Sequence, residues 1–313
     1  MGTATAVYSA ASDLLTGMEW TPAEVGELLE LAARLKARPE RFRRALGGKF
    51  IALIFEKPSL RTRVTFEVGA VGLGATAIFL DYTGTRLGER EALCDVARNL
   101  ERWVHAVAAR TYAQQTLEEL ARCAAIPVIN ALSDRFHPCQ ALADAFTLLE
   151  RFGSLRGLPV AYVGDGNNVC HSLLVMAAQT GLWLRVATPP GYEPDPEVVS
   201  RARALAAQTG ARLELFHAPE QAVRDARAVY TDVWASMGQE HEAEQRRRVF
   251  AAFQVTPRLM EQAAPDAVFL HCLPAHRGEE VVAEVLESPQ SLVFEQAENR
   301  LHIARAVLLK LLG

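Results

Sequence analysis

Short apolar runs recur along the chain at intervals long enough to hold a helix between them. The first is Phe50 to Phe55, followed by Ala75 to Leu80, His105 to Ala109 and Ile126 to Ile129. Runs of this length bounded by polar segments read as buried strands. Strands alternating with helices predict a parallel sheet covered on both faces. A long helix is expected over 137–152, with Leu142, Ala145, Phe146, Leu148 and Leu149 as its buried side, and Gly153 ends it. The pattern then restarts, with strands expected at Leu158 to Val163, Leu182 to Ala187, Arg212 to Phe216, Ala228 to Thr231 and Ala267 to Leu270. The restart predicts a domain boundary near residue 150, and the fold class expected is α/β with two parallel-sheet domains.

At the front, Thr21-Pro22-Ala23-Glu24 is a capping box, and Val25, Leu28, Leu29, Ala32 and Leu35 give the helix after it one apolar face. At the back, Glu295 to Leu312 is amphipathic and opens with polar Gln296, Glu298, Asn299 and Arg300. The charged run Glu240 to Arg248 reads as loop and solvated helix.

Composition changes this picture in two ways. A net charge of -4 over 313 residues removes any general pull toward nucleic acid or an anionic membrane, so an anion site has to be local. The five cysteines, Cys94, Cys123, Cys139, Cys170 and Cys272, are scattered without a C-x-x-C pair. Neither a disulfide framework nor a zinc site is expected, and a reducing cytoplasm fits. Met1 to Ser12 lacks the cationic and apolar regions of a signal peptide, and no apolar run approaches a membrane span.

Unusual polar residues collect just after the expected strands, where open parallel sheets bind ligands. Ser59, Leu60, Arg61 and Thr62 follow the first strand at a helix start, an arrangement suited to a tetrahedral oxyanion or to an ordinary capped helix. Arg110 follows the third strand. His137 and Gln140 stand three residues apart at a helix start, either a turn or a pair facing one ligand, and the helix end should keep the imidazole neutral. Gly164-Asp165-Gly166-Asn167-Asn168 starts like a dinucleotide fingerprint, but Val169 stands where a third glycine belongs. Asn168 remains as a cap or a carboxylate donor. Asp232 with Ser236 and Met237 suits the ammonium and carboxylate of an amino acid, or a helix cap. His271 and Cys272 are neighbours, expected on opposite strand faces and so not as a metal pair.

Together, Phe55 to Arg63, His137-Pro138-Cys139-Gln140, Asp232 with Ser236-Met237-Gly238, and Phe269 to Pro274 resemble the aspartate and ornithine carbamoyltransferases, the ornithine branch most closely. Four motifs in order, spread from about residue 50 to residue 310, make the resemblance specific. It implies two doubly wound parallel-sheet domains: residues 1–150 for carbamoyl phosphate, rejoined by a C-terminal helix over 295–313, and residues 151–294 for ornithine. It also implies a homotrimer or a trimer-based higher oligomer.

The resemblance further implies that Ser59, Leu60, Arg61 and Thr62 bind phosphate, with Arg110, His137 and Thr62 around the carbamoyl oxygen and Gln140 on the carbamoyl group. Asn168, Asp232, Ser236 and Met237 would bind ornithine's α-groups. Cys272, Leu273 and Arg300 would complete the site, and Cys272 could assist deprotonation of the amine. No metal, no cofactor and no covalent intermediate is needed, and neither nucleic acid nor membrane is an expected partner. Two departures stand out: Leu60 replaces the family's threonine, and Arg86 replaces a common glutamine in the loop over 83–91 that reaches a neighbouring subunit, leaving Arg86 or Arg90 to meet phosphate there. Carbamoyl transfer to putrescine, an acylated ornithine or aspartate is the near alternative. A nicotinamide dehydrogenase and a non-catalytic carbamoyl phosphate-binding paralogue are the distant ones.

Overall fold

The computed structural model describes residues 13–235 and 242–313, so Met1 to Ser12, Ser236, Met237 and Gly238 lie outside the described residues. The first sheet contains β1 (Phe50–Phe55), β2 (Thr76–Asp81), β3 (Ala106–Arg110) and β4 (Val128–Leu132), all parallel in the order β2-β1-β3-β4. With it belong helices α1 (Pro22–Ala37), α2 (Leu60–Gly72), α3 (Leu93–Trp103), α4 (Gln114–Cys123) and α5 (Pro138–Phe152). The second sheet contains β5 (Pro159–Val163), β6 (Trp183–Ala187), β7 (Arg212–Phe216), β8 (Ala228–Thr231) and β9 (Val268–His271), also parallel, in the order β7-β6-β5-β8-β9. Helices α6 (Asn168–Thr180), α7 (Pro196–Thr209), α8 (Pro219–Val223), α9 (Ala243–Phe250), α10 (Pro257–Met260), α11 (Ala283–Leu286) and α12 (Val293–Leu312) complete the chain. The expected strands are all present, with ends displaced by only a few residues.

The inner strands β1, β3, β5, β6, β8 and β9 are buried nearly throughout, which is why they read as mostly apolar runs, while the edge strands β2 and β7 stay partly exposed. One core runs from Ile51, Leu53 and Phe55 through α5 and α12 to Val160, Tyr162 and Leu184. Separate cores back the other faces, Ala52, Ile54 and Val107 against α3 and α4 in the first domain, and Val163, Val229 and Phe269 around Phe250 in the second. The doubly wound class is therefore as expected. Helix α12 starts beside β9 and crosses back onto α1, α2 and α5, burying Ile303, Ala304, Val307 and Leu308. The capping box of α1 forms, with Glu24 Oε2 accepting from the Thr21 amide at 2.8 Å.

One expectation needs correction here. Cys94 and Cys123 are bonded in a disulfide, with Cα atoms 5.1 Å apart. Helices α3 and α4 pack together on one face of the sheet and bring these residues to one place, which scattered sequence spacing does not reveal. Of the larger apolar side chains of α2 and its alanine, Phe66 and Ala70 are buried. Leu60, Val64, Val68 and Val71 form an exposed stripe, 73%, 45%, 45% and 67% accessible.

Candidate active site

Each sheet reverses its winding once, between β1 and β3 in the first and between β5 and β8 in the second. Crevices open at the carboxyl ends of strands flanking such a reversal. The two crevices face each other across a cleft of about 970 Å³.

On the first-domain side the chain leaves β1 through a turn held by Glu56. Its buried carboxylate accepts from the Leu87 and Tyr112 amides, each at 2.7 Å. Ser59 then caps α2, accepting from the Thr62 amide at 3.3 Å, so the first amides of α2 start a helix whose positive end meets the cleft. Ser59, Leu60, Arg61 and Thr62 all line the cleft, with the Leu60 side chain at its exposed rim.

Arg110, the last residue of β3, is buried and drawn down to about 10 by desolvation and by the neighbouring charges of Arg300 and Arg61. It is still cationic at neutral pH. Arg300, expected to be solvated if it had no role, is buried on α12 and donates to Gln140 Oε1 and Thr62 Oγ1, both at 2.7 Å. Burial lowers Arg61 and Arg300 as well. Three guanidiniums that repel one another and are partly stripped of water would be relieved by one bound anion. His137 is held well below the ordinary imidazole range, so it is neutral as expected. The leading cause is burial, followed by Arg300, Arg110 and Arg61, rather than the helix end invoked from sequence. Gln140 stands behind Arg300 and does not itself line the cleft.

Behind these residues lies a network that sequence reasoning missed. Asp144, pushed up to about 7 by burial, accepts from Gln140 Nε2 at 2.8 Å and from Gln296 Nε2 at 2.6 Å. Gln296 Oε1 in turn accepts from the His271 amide at 2.9 Å, which joins α5, α12 and β9. Four-residue spacing of Gln140 and Asp144 on one helix face was the only available signal.

On the second-domain side, Asn167 rather than Asn168 caps α6, accepting from the Val169 and Cys170 amides. Its amide donates to Asp232 Oδ2 at 2.8 Å, while Asn168 lines the cleft and donates to the Ser133 carbonyl at 2.6 Å. Gly166 has no room for a side chain because a Cβ would lie 2.3 Å from Pro194 N. The glycine therefore serves chain packing, not a pyrophosphate. Arg246, expected among solvated residues, is buried and bonded at 2.8 Å to both Asp165 Oδ2 and the Trp234 carbonyl. Asp165 is raised to about 6 by burial, against the opposing pull of Arg246.

His271 and Cys272 also depart from expectation. The strand ends at His271, so alternation no longer separates them, and together with Asp232 they offer ligand atoms within 4.8 Å of one another. Both ring nitrogens of His271 are already engaged, by the Leu273 amide and Glu280. The Cys272 thiol donates to Asp232 Oδ1 at 3.0 Å and is pushed well above its ordinary range, chiefly by burial and then by Asp232. Arg86 lies over the Tyr112 ring of its own chain at 5.2 Å, and Arg90 is exposed.

A parallel α/β pair with guanidiniums on one side of a shared cleft and a carboxylate and amides on the other suits two charged ligands, as in a two-substrate group-transfer class of protein. Family models for the aspartate/ornithine carbamoyltransferase carbamoyl-P binding domain and Asp/Orn binding domain match residues 12–150 and 156–311. The chain belongs to the aspartate/ornithine carbamoyltransferase family. It is 55% identical over 301 residues to the ornithine carbamoyltransferase of Thermus thermophilus and 51% identical over 306 residues to that of Pyrococcus horikoshii, covering 96% of both chains in each case. A solved structure of the Pyrococcus furiosus ornithine carbamoyltransferase superposes with a TM-score of 0.94 at 50% identity, covering 97% of this chain and 98% of that one.

Proposed function

We propose that the chain transfers the carbamoyl group of carbamoyl phosphate to the side-chain amine of L-ornithine, giving L-citrulline and phosphate. The observation that carries the reading is the cleft itself, where Arg61, Arg110 and Arg300 face Asn168 and Asp232. Residues 1–150 with 295–313 would hold carbamoyl phosphate, and residues 151–294 would hold ornithine.

In this reading Ser59, Leu60, Arg61 and Thr62 hold the phosphate at the start of α2. Arg110, His137 and Thr62 surround the carbamoyl oxygen, Arg300 and the Cys272 and Leu273 carbonyls hold the rest of the group, and Gln140 acts on it through Arg300, whose guanidinium it accepts from. Asp232 and Asn168, with Ser236 and Met237, take the α-ammonium and α-carboxylate. The neutral amine attacks the carbonyl carbon, the oxygen gains charge against Arg110, and the tetrahedral intermediate collapses with phosphate leaving toward Arg61. The cationic cluster stabilises charge on both the oxygen and the leaving group. The Cys272 thiol keeps its proton in the neutral range, so it orients Asp232 and does not serve as the base.

An amine with a lysine-like pKa of about 10.4 must first lose a proton, so turnover should rise with pH from 6 to 9. A colorimetric citrulline assay with ornithine, putrescine, N-acetylornithine and aspartate side by side tests the acceptor. Faster turnover of any acceptor other than ornithine would overturn the reading. The exposed stripe of Val64, Val68 and Val71 on α2 supports burial between subunits in a homotrimer, which light scattering tests. The proposal places the reaction in arginine biosynthesis, the relative from P. furiosus being named anabolic, and in the cytoplasm, as expected from sequence.

A further inference from the structure

Beyond the residues that line the cleft, a buried dyad stands directly behind the turn that carries Cys272 and Leu273. His271 and Glu280 are both fully buried, and His271 Nε2 lies 3.1 Å from Glu280 Oε1. The other ring nitrogen, Nδ1, accepts from the Leu273 amide at 2.8 Å. A nitrogen that accepts carries no proton, so the proton of the neutral ring sits on Nε2 and is donated to Glu280. The same Glu280 oxygen accepts from the His276 amide at 2.6 Å, on the far side of the turn. Glu280 is itself fixed, because its carbonyl accepts from the Val255 amide at 2.8 Å.

The turn needs such support. Leu273 has φ 57°, a left-handed backbone that a leucine keeps only where its surroundings hold it. Its amide is tied to the imidazole, the imidazole to Glu280, and Glu280 to the exit of the turn at His276. The main chain of Cys272 and Leu273 is thus clamped from both ends.

We propose that Glu280 is a positioning residue for recognition of the carbamoyl nitrogen: by fixing the His271 tautomer it sets the turn that presents the Cys272 and Leu273 carbonyls to the cleft. The assignment rests on the proposed function, in which those carbonyls accept from the carbamoyl NH2 group. Glu280 does not line the cleft, so it acts only through His271 and the turn. Phosphate alone, held by the start of α2 on the other domain, makes no use of these carbonyls. Loss of the clamp should therefore separate two measurements that ordinary loss of folded enzyme would leave together.

The experiment compares wild type with Glu280→Ala and Glu280→Gln by initial rates, reading the KM for carbamoyl phosphate against the Ki of inorganic phosphate as a competitor. Glu280→Ala should raise the KM by about tenfold, the scale of one or two lost hydrogen bonds, while the Ki stays within about twofold. Glu280→Gln keeps an oxygen that accepts from both His271 and His276, so it should restore the KM to within about threefold of wild type. A change in kcat alone, a KM and Ki that move together, or a Gln variant as impaired as the Ala variant would each overturn the proposal. If Glu280→Ala does not fold, Glu280→Asp withdraws the carboxylate by one methylene and should show the same separation at about threefold, and an unchanged KM there overturns it. A wild type that makes no citrulline overturns the proposed function and this role with it. A wild type that makes citrulline beside an unseparated Glu280 variant overturns the Glu280 role alone.

Discussion

The two sides of the cleft manage charge in opposite ways. On the first domain, Arg61, Arg110 and Arg300 lie within range of one another's fields, and the groups Arg300 bonds, Gln140 and Thr62, are neutral. On the second domain, Asp165 is paired with Arg246, and Asp232 is held by an amide and a thiol. The first side therefore stores like-charge repulsion that an anion removes, whereas the second is closer to balanced without a ligand. Hydrogen bonds to Gln140 and Thr62 hold Arg300 in place despite that repulsion, whereas the Nε of Arg110 is buried without a partner. The anion should therefore contribute most of the binding energy.

Removing a cation should have the largest effect. Arg110→Ala is expected to lower kcat by about 10²- to 10³-fold, the cost of losing one donor to a developing oxyanion, measured by steady-state citrulline formation. Next, Asp232→Asn should raise the KM for ornithine by about 10- to 100-fold while leaving phosphate inhibition unchanged, since the paired charge it removes belongs to the other side. If phosphate inhibition weakened in parallel, the two sides would not be separable.

Asp144, which connects the sides through Gln296, gives a smaller effect with a definite sign. Its folded value of about 7 lies above the unfolded carboxyl value of about 3.9. The folded state keeps the proton that the unfolded state releases, so the stabilisation is complete below about pH 4 and is lost as pH rises toward 7. Asp144→Asn has no such proton, and its melting temperature relative to wild type should climb by about 2 °C or more between pH 5 and pH 8. The smallest effect belongs to Leu60→Thr, which should change the KM for carbamoyl phosphate by less than about threefold. The backbone amide at this position is unchanged, and the side chain sits at an exposed rim.

Much of the first side was readable from the chain because its groups are consecutive. Ser59 to Thr62 follow a strand and open a helix, and both elements announce themselves by period. The inner strands were legible because buried parallel strands are mostly apolar, and edge strand β7 through the alternation of Arg212, Leu213, Glu214 and Leu215. What escaped was everything that depends on distant segments meeting. Asp144 and Gln296 are 152 residues apart, and Arg246 sits in a charged run that looks solvated until Asp165 is brought against it. Cys94 and Cys123 show no pattern until α3 and α4 pack. His271 and Cys272 were separated by applying strand alternation one residue beyond the end of the strand.

The crossing of α12 also has a kinetic consequence. The bond from Arg300 to Thr62 closes a span of 238 residues, and the one to Gln140 closes 160. Contacts so far apart in sequence carry the largest loop-closure cost and form late in folding. Each sheet can collapse on its own neighbours, but the arginine cluster has no third cation until the last helix docks. During refolding, secondary structure should therefore return before the capacity to bind phosphate, and a chain caught between those two stages would be compact yet inert.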